Sequence, residues 1–371
     1  MFSPKASWNF YRILPFGIIW FVFTIVYSLI ERGILGHSAN YPATGNPYNF
    51  YTNIFMVPLF ALATGLLIGS LEILYVNKRL MQMSFGKKII SKSLLYLVLI
   101  VSFLILLTAV NNYSELQHSF FSKEVWHNVW LFFADFAFWS VVVYMTSIIV
   151  ISQLYTEISE NIGQGVLANF FTGRYHTPAE EERIYMFLDM KSSTTIAEQL
   201  GHVRYFEMLQ EYYADLSEPI IKHMGEIYQY VGDEVIVSWR LKNGLQNNHC
   251  LQCFFDVKAT ISGRAGKYLE KWGVLPEFKA GIHLGKVTTG EIGVVKKEIM
   301  FTGDVLNATS RIQALCNTYK VDLLVSGELV QALHLPSHFH ITPLGESELR
   351  GRNEKIQLFT IVSTPSTAEV S

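Results

Sequence analysis

The sequence predicts an α+β protein in which an N-terminal four-helix transmembrane bundle precedes a C-terminal sheet domain. Half of the 371 residues are hydrophobic and only 16% are charged, an imbalance that is unusual for a soluble protein. The apolar excess lies in residues 1–151, whereas residues 184–362 have the short apolar runs that are typical of strands and amphipathic helices. The formal net charge of −2 gives no electrostatic support for nucleic acid as a partner.

Four apolar runs predict the membrane helices. They are Ile13–Ile30, Ile54–Val76, Leu94–Val110 and Val129–Ile151. Each approaches the roughly 20 residues that a helix needs to cross the hydrocarbon core of a bilayer. The first run lacks a small-residue cleavage site and is followed by three others, so we do not expect a removed signal peptide. Helices buried inside a soluble protein are the alternative, which four long runs with few charges disfavour.

Basic residues predict the orientation of these helices. The connection between the second and third runs carries Lys78, Arg79, Lys87, Lys88 and Lys92, whereas the other two connections carry only Arg32 and Lys123. By the positive-inside rule the middle connection is cytoplasmic, and an even number of spans places both termini on the same side. We therefore expect a multi-pass protein of the cell inner membrane whose C-terminal domain is cytoplasmic.

Two carboxylates lie within the predicted spans. Glu72 is near the cytoplasmic end of its run, where its side chain could reach Lys78 or Arg79. Asp135 lies deeper, where a carboxylate predicts either a helix–helix hydrogen bond or a sensing role. The sequence does not identify the signal that such a residue would sense.

The sequence predicts four segments along the chain. They are a membrane domain at residues 1–151, a linker at 152–183, the sheet domain at 184–362 and a disordered tail at 363–371. Within the linker, Ile158, Ile162, Val166 and Phe170 recur at four-residue steps, which predicts a helix that continues the last span. Such a helix either transmits a signal or serves as a passive tether.

Alternating strand and helix patterns predict the sheet domain. Residues 184–189 are typical of a buried strand, and residues 225–239 are apolar on both sides of Gly232-Asp233-Glu234, which predicts a β-hairpin with an acidic turn. Helices are expected at residues 195–224 and 245–272, with a further strand at residues 278–284. This order predicts an α+β sheet with its helices on one face.

Candidate functional residues fall at the ends of these elements. Asp189 and Asp233 both lie at strand ends, so their carboxylates converge if the two strands are neighbours. Hard oxygen ligands of this kind suit Mg²⁺ or Mn²⁺, although turn stabilisation alone also explains both residues. Asn307 and Arg311 are four residues apart in a predicted helix, which places both side chains on one helix face.

Five segments resemble the class III adenylate/guanylate cyclase family in the family's own order, over residues 184–362. They are FLDMKSST, GEIYQYVGDEV, AGIHLGKVTTGEIG, FTGDVLNATSRIQ and ELRGRNEKIQLF. The resemblance implies a ferredoxin-like cyclase domain and, with the four spans, a membrane-anchored bacterial type. It also implies a homodimer with shared sites, because this family takes its metal carboxylates and its Asn/Arg pair from different protomers.

The resemblance assigns catalytic roles to five residues. It implies that Asp189 and Asp233 hold two metal ions per site, Mg²⁺ or Mn²⁺, with the backbone carbonyl of Met190 assisting. It implies that Asn307 contacts the ribose and Arg311 the α-phosphate. The reaction implied is attack of the ribose 3′-hydroxyl of ATP on the α-phosphate, which gives 3′,5′-cyclic AMP and pyrophosphate for signal transduction.

Further residues are expected to contact the substrate phosphates. They are Ser192, Ser193 and Thr194 after the first metal ligand, Lys296, and Arg352 in the terminal hairpin. For Lys296 a place in a solvated loop is the alternative. Lys191 lies beside the first group and could add a direct phosphate contact.

The choice of purine rests on Gln229 and Met300, which stand where the family usually has a Lys and Asp pair for ATP or a Glu and Cys pair for GTP. A Gln amide can serve either base, and Met discriminates nothing by hydrogen bonding. ATP is the predicted substrate because adenylate cyclases predominate among bacterial members, and GTP remains the alternative.

Three other functions are alternatives to that of a cyclase. The first is a non-catalytic membrane receptor that keeps the cyclase fold, which the intact metal and Asn/Arg residues disfavour. The second is a diguanylate cyclase, whose signature needs glycine at Val231 and phenylalanine at Val235. The third is a transporter, for which four spans and a large polar domain are a poor match.

Overall fold

The computed structural model describes residues 3–40, 48–80, 83–116, 119–162, 173–295, 298–348 and 355–364. The chain divides into two compact units, one of Ser7–Leu167 and the other mainly of Ala168–Ser371. The first unit is helical, and the second contains a mixed sheet with helices. The predicted α+β class is therefore confirmed.

The N-terminal unit consists of long helices. Their bounds are Pro4–Leu35, Phe50–Leu71, Phe85–Leu116, Lys123–Ala134 and Phe136–Ile162, and a π-helical turn at Glu72–Val76 followed by Asn77–Leu80 continues the second helix. Four stretches are long and apolar enough to cross a membrane, namely Pro4–Leu35, Phe50–Val76, Phe85–Val110 and Phe136–Asn161. Between 12% and 33% of the residues in their apolar windows are buried. Most of these apolar side chains therefore face outward, as lipid-facing helices require.

Asp135 marks the start of the fourth apolar helix and does not lie inside it. The predicted run from Val129 is broken at Asp135, whose φ of −77° and ψ of 144° are extended. Its Oδ1 accepts a hydrogen bond of 2.7 Å from the backbone N–H of Ala137, and the side chain is exposed. The prediction of a deep intramembrane carboxylate was wrong, because the side chain caps the first turn of the next helix.

Glu72 belongs to a buried ion-pair cluster between the second, third and fourth apolar helices. Lys92 is 1% exposed, and its Nζ lies 2.5 Å from Glu72 and 2.9 Å from Glu157. The hydroxyl of Tyr96 donates a 2.7 Å hydrogen bond to Glu72. The sequence suggested Lys78 or Arg79 as the partner of Glu72, but the carboxylate is turned inward and neutralised by Lys92.

The cluster extends to the first apolar helix through Asn77. Lys92 donates to Asn77 Oδ1 at 3.1 Å, and Asn77 Nδ2 donates to both oxygens of Glu160 at 2.9 and 3.0 Å. Arg12 forms an ion pair with the same Glu160. All four apolar helices therefore contribute charged or polar side chains to one connected network.

The C-terminal unit is built on one sheet. Its strands are β1 Ala179–Met190, β2 Glu226–Val231, β3 Glu234–Arg240, β4 Phe278–Ile292, β5 Glu298–Thr302, β6 Leu323–Ser326, β7 Phe339–Glu348 and β8 Lys355–Ser363. The strand order is β2-β3-β1-β4-β6-β8-β7, and β5 pairs with β4. The pair β4–β6 is parallel, and the other pairs in this order are antiparallel.

The helices of this unit are shorter than the predicted stretches. Their bounds are Ser193–Leu200, His202–Lys222, Leu241–Leu245, His249–Gly263, Ala265–Trp272, Asp304–Tyr319 and Gly327–Ala332. The stretch predicted at residues 195–224 is divided by Gly201, whose φ of +76° interrupts the helix. The helix Asp304–Tyr319 carries Arg311 and is called the Arg311 helix below.

Helices cover both faces of the sheet. On β1, Ile184, Met186 and Leu188 pack into the main core, which includes residues of His202–Lys222 and His249–Gly263. The alternate side chains Tyr185 and Phe187 point to the other face, where they pack with Val305 at the start of the Arg311 helix. The prediction of helices on one face was therefore wrong, because the Arg311 helix covers the opposite face.

Gly281 brings the Arg311 helix unusually close to β4. A Cβ added at Gly281 would lie 2.5 Å from the backbone nitrogen of Gln313 and 2.8 Å from its Cα. Real Cβ atoms do not approach backbone atoms so closely, and a helix backbone cannot yield as a flexible side chain can. The absence of a side chain at Gly281 therefore sets the distance between the helix and the sheet.

We expect Gly281→Ala to push the Arg311 helix away from the sheet and destabilise the protein by about 1–3 kcal/mol, as overpacking of a core does. The change should be seen as a lower unfolding temperature of the C-terminal unit. Gly290→Ala on the same strand is the control, since its Cβ would lie an ordinary 3.5 Å from Pro178. Equal stability of the two variants would contradict this packing argument.

Candidate active site

Asp189 lies near the end of β1, at the centre of the sheet. In the strand register it is opposite Glu234 on β3 and Lys279 on β4. Gln313 Nε2 donates a 2.9 Å hydrogen bond to Asp189 Oδ2, and Lys279 Nζ is 3.3 Å from the same oxygen. The carboxylate is thus held from β4 and from the Arg311 helix.

Asp233 lies in the tight turn between β2 and β3. Gly232 has a φ of +64°, which a residue with a side chain adopts only with strain, and its carbonyl accepts a 2.5 Å hydrogen bond from the Tyr213 hydroxyl. Because β1 and β3 are neighbours, the turn brings Asp233 beside Asp189. Burial raises the pKa of Asp233, a hydrogen bond from Ser193 lowers it, and the nearby Asp189 carboxylate raises it further.

Glu234 is a third carboxylate at this position, and sequence reasoning did not assign it a role. Burial, with the charges of Asp189 and Asp233, raises the pKa of Glu234 to about 7, while Lys279 opposes the shift. Closely spaced carboxylates that disfavour each other's ionisation are the arrangement that a divalent cation relieves. A bound cation would therefore be stabilised here, because its positive charge would reduce the repulsion among the three carboxylates.

The predicted phosphate-contact residues begin the helix Ser193–Leu200. Ser192 has a φ of +53°, so the chain turns sharply between the end of β1 and this helix. The Ser193 hydroxyl hydrogen-bonds Asp233, which places the first helical turn beside the carboxylate pair, and Thr194 is exposed at its start. Backbone N–H groups of a first helical turn lack intrahelical partners and suit anions.

Lys191 does not reach into this site. It pairs with Asp322 at 2.5 Å and with Glu277 at 3.5 Å. A direct phosphate contact from Lys191 would require its side chain to leave these two carboxylates, and it stays a prediction. Met190 ends β1 opposite Phe278, and its side chain is buried.

Asn307 and Arg311 face away from the carboxylates of their own chain. At about 100° per helical residue, Arg311 lies about 200° and Asn307 about 240° around the helix from Gln313. Gln313 is 5% exposed and contacts Asp189, whereas Asn307 is exposed and Arg311 partly so. One chain therefore does not bring the Asn/Arg pair and the carboxylate pair to the same side of the helix.

Gln229 and Met300 lie on strands that the sheet does not place side by side. Gln229 is exposed on β2, next to the irregular register with β3, and Met300 is 41% exposed on β5. Their neighbours Tyr228 and Phe301 do meet, with ring centroids 5.1 Å apart. Two further predicted contacts, Lys296 and Arg352, lie outside the described residues.

The donor set fits a divalent cation that prefers oxygen. Asp189 and Asp233 supply carboxylate oxygens at adjacent strand ends, and Glu234 lies opposite Asp189 in the strand register. A group of three or more His, Cys, Asp or Glu side chains arranged as a closed metal cage is not found in the described part of the chain. Carboxylate oxygens of this kind suit Mg²⁺ or Mn²⁺, and Mg²⁺ commonly completes its coordination with water and substrate phosphates.

The C-terminal unit is similar in sequence to known nucleotide cyclases. Residues 177–363 match the family described as the adenylate and guanylate cyclase catalytic domain. Adenylate cyclase 2 of Rhizobium meliloti is 32% identical over 207 residues, which cover 56% of this chain and 57% of the relative. Guanylate cyclase 2D of Rattus norvegicus is 25% identical over 169 residues, 45% of this chain and 15% of the relative. The chain thus matches little more than half of one relative and a small part of the other.

The fold also has a solved counterpart. A bacterial light-regulated adenylyl cyclase superimposes with a TM-score of 0.52 at 18% identity, over 62% of this chain and 66% of that one. At this identity the likeness concerns the fold alone.

Proposed function

Because the chain belongs to the adenylate and guanylate cyclase catalytic-domain family, we propose that it is a membrane-bound adenylate cyclase that converts ATP to 3′,5′-cyclic AMP and pyrophosphate. The observation that carries the proposal is the convergence of Asp189 and Asp233 beside the first turn of Ser193–Leu200. This arrangement offers cation ligands and anion-binding backbone groups within one small region. A nucleoside triphosphate with its divalent cations needs both.

Asp189 and Asp233, assisted by the Met190 carbonyl, are the residues that would hold Mg²⁺ or Mn²⁺. Bound there, the cations would lower the pKa of the ribose 3′-hydroxyl and neutralise charge on the phosphates. The first turn of Ser193–Leu200, with Ser192, Ser193 and Thr194 (and Lys296 and Arg352 farther along the chain), would hold the phosphates.

Two copies of the chain would form each complete site. The Arg311 helix uses one side to contact Asp189 and presents Asn307 and Arg311 on the other. A second copy, placed head to tail, would bring its own Asn307 to the ribose and its Arg311 to the α-phosphate. Arginine at such a position is worth about 10³-fold or more in rate where it has been measured in phosphoryl transfer.

ATP is proposed as the substrate, with GTP as the alternative. Two adenylate cyclases of Rhizobium meliloti match over 56% and 55% of this chain, and guanylate cyclase 2D of Rattus norvegicus matches over 45%. The exposed amide of Gln229 can donate to and accept from adenine, but rotated by half a turn it would equally suit guanine. Met300 would contact either ring through its thioether.

The four apolar helices support a place in the membrane. We propose that residues 1–151 cross the cell inner membrane, with both termini cytoplasmic, that residues 152–183 link them to the catalytic domain at 184–362, and that 363–371 form a tail. The basic residues between the second and third apolar helices favour this orientation.

Membranes that contain the full chain, given Mn²⁺ with either ATP or GTP, should form cyclic AMP from ATP. Membranes with Asp233→Ala serve as the blank, because this variant lacks one of the two converging carboxylates. Cyclic GMP as the dominant product would reverse the choice of substrate and keep the site. Neither product, with nucleotide still bound, would favour a non-catalytic receptor that retains the cyclase fold.

A further inference from the structure

We propose that Gln313 is a positioning residue for the cyclase reaction. It fixes the orientation of the Asp189 carboxylate, and it links the metal site of one protomer to the helix that completes the site of the other. The inference rests on the proposed function only for the identity of the reaction, since its geometry concerns contacts within one chain. Sequence patterns do not reveal this role, because it depends on which helix covers which face of the sheet.

The contact between Gln313 and Asp189 is buried and specific. Gln313 is 5% exposed, and its amide donates to Asp189 Oδ2 at 2.9 Å. Lys279 approaches the same oxygen at 3.3 Å. Both contacts are on Oδ2, so together they restrict the rotation of the carboxylate.

The two partners of Asp189 differ in how they respond to a bound cation. The ammonium group of Lys279 is repelled by a divalent cation a few ångströms away, and a flexible side chain can withdraw. The neutral amide of Gln313 suffers no such repulsion and keeps its donor. Gln313 is therefore the contact that continues to orient Asp189 once the site is filled.

The position of Gln313 also couples two sites. Gly281 lets the helix backbone at Gln313 approach β4 closely, so the amide has little freedom to move independently of the helix. Arg311 and Asn307 lie on the far side of the same rigid helix. A displacement of this helix by nucleotide at one site would move the donor that orients Asp189 at the other, and such a coupling is reciprocal.

The first test is a direct measurement of Mn²⁺ affinity by electron paramagnetic resonance on the purified full chain, with a non-cyclisable ATP analogue. We expect Gln313→Met, which keeps the side-chain length and removes the donor, to weaken Mn²⁺ binding by about tenfold, the lower end for groups that support metal ligands. Unchanged affinity in Gln313→Met would overturn the proposal. Since Mn²⁺ binding needs no turnover, this measurement stands even if no cyclic nucleotide is formed.

The second test separates the orientation of Asp189 from simple support of the helix. In a mixed dimer of an Arg311→Ala chain and an Asp233→Ala chain, the first supplies the carboxylates of the single complete site and the second supplies Asn307 and Arg311. Gln313→Met on the first chain should raise the Mn²⁺ concentration for half-maximal activity about tenfold, with the maximal rate recovering at high Mn²⁺. The same substitution on the second chain should leave that concentration unchanged. An equal effect from either chain would mean that Gln313 only holds the helix, and would overturn the proposal.

Discussion

A mixture of Asp233→Ala and Arg311→Ala chains is expected to form cyclic nucleotide, although each chain alone should be as inactive as empty membranes. Each mixed dimer contains one site with an intact carboxylate pair from one chain and an intact Asn307 and Arg311 from the other. With random pairing, about half of the dimers are mixed and each has one working site of two, so about a quarter of the wild-type activity should return. The measurement is cyclic nucleotide formed by membranes in which the two chains are co-expressed.

A matched pair of lesions provides the control for this experiment. Asp189→Ala mixed with Asp233→Ala should restore nothing, because each mixed dimer then has one damaged carboxylate pair in each site. Affinity tags of two kinds on the two chains would establish that mixed dimers form. If tagged mixed dimers of Asp233→Ala and Arg311→Ala are present and inactive, the sites are not shared between protomers. If either carboxylate variant is active alone, the two-metal assignment fails.

The parts of the site that could be predicted from the sequence are those that local patterns determine. Asp189 ends an apolar run and Asp233 lies in a glycine turn, so each was recognisable without knowledge of the rest of the fold. The partners of Asp189 were not, because Lys279 becomes its neighbour only through the register of β1 with β4. The contact of Gln313 with Asp189 was even less predictable, because it depends on the packing of the Arg311 helix against Gly281.

The wrong predictions have the same physical origin. An amphipathic helix must bury one side, but its pattern does not say which face of a sheet will cover that side, so the position of the Arg311 helix could not be deduced. Hydropathy averaged over a window likewise passed over the helix break at Asp135, which a single capping hydrogen bond to Ala137 stabilises. Glu72 and Lys92 lie on different helices, and only their packing reveals the pair.

Lys92→Met should strongly destabilise the N-terminal unit. The Glu72 and Glu157 side chains are 1% and 3% exposed, and Lys92 is the cation that contacts both. Methionine fills a similar volume but leaves two buried carboxylates with less compensating charge. Removing one partner of a buried ion pair costs about 3–5 kcal/mol, whereas replacing the whole pair costs far less. The expected result is a much lower unfolding temperature of the full chain in detergent.

Two further variants distinguish lost charge pairing from lost packing. Lys87→Met on the same helix removes an exposed lysine outside the network and should leave the unfolding temperature unchanged. The triple variant Lys92→Met, Glu72→Gln and Glu157→Gln should recover most of the loss, because neutral amides are less costly to bury than unpaired carboxylates. If the triple variant were as unstable as Lys92→Met alone, the shape of the lysine would matter more than its charge. Recovery would instead show that Lys92 stabilises this unit by balancing the charges that the second and fourth apolar helices bring together.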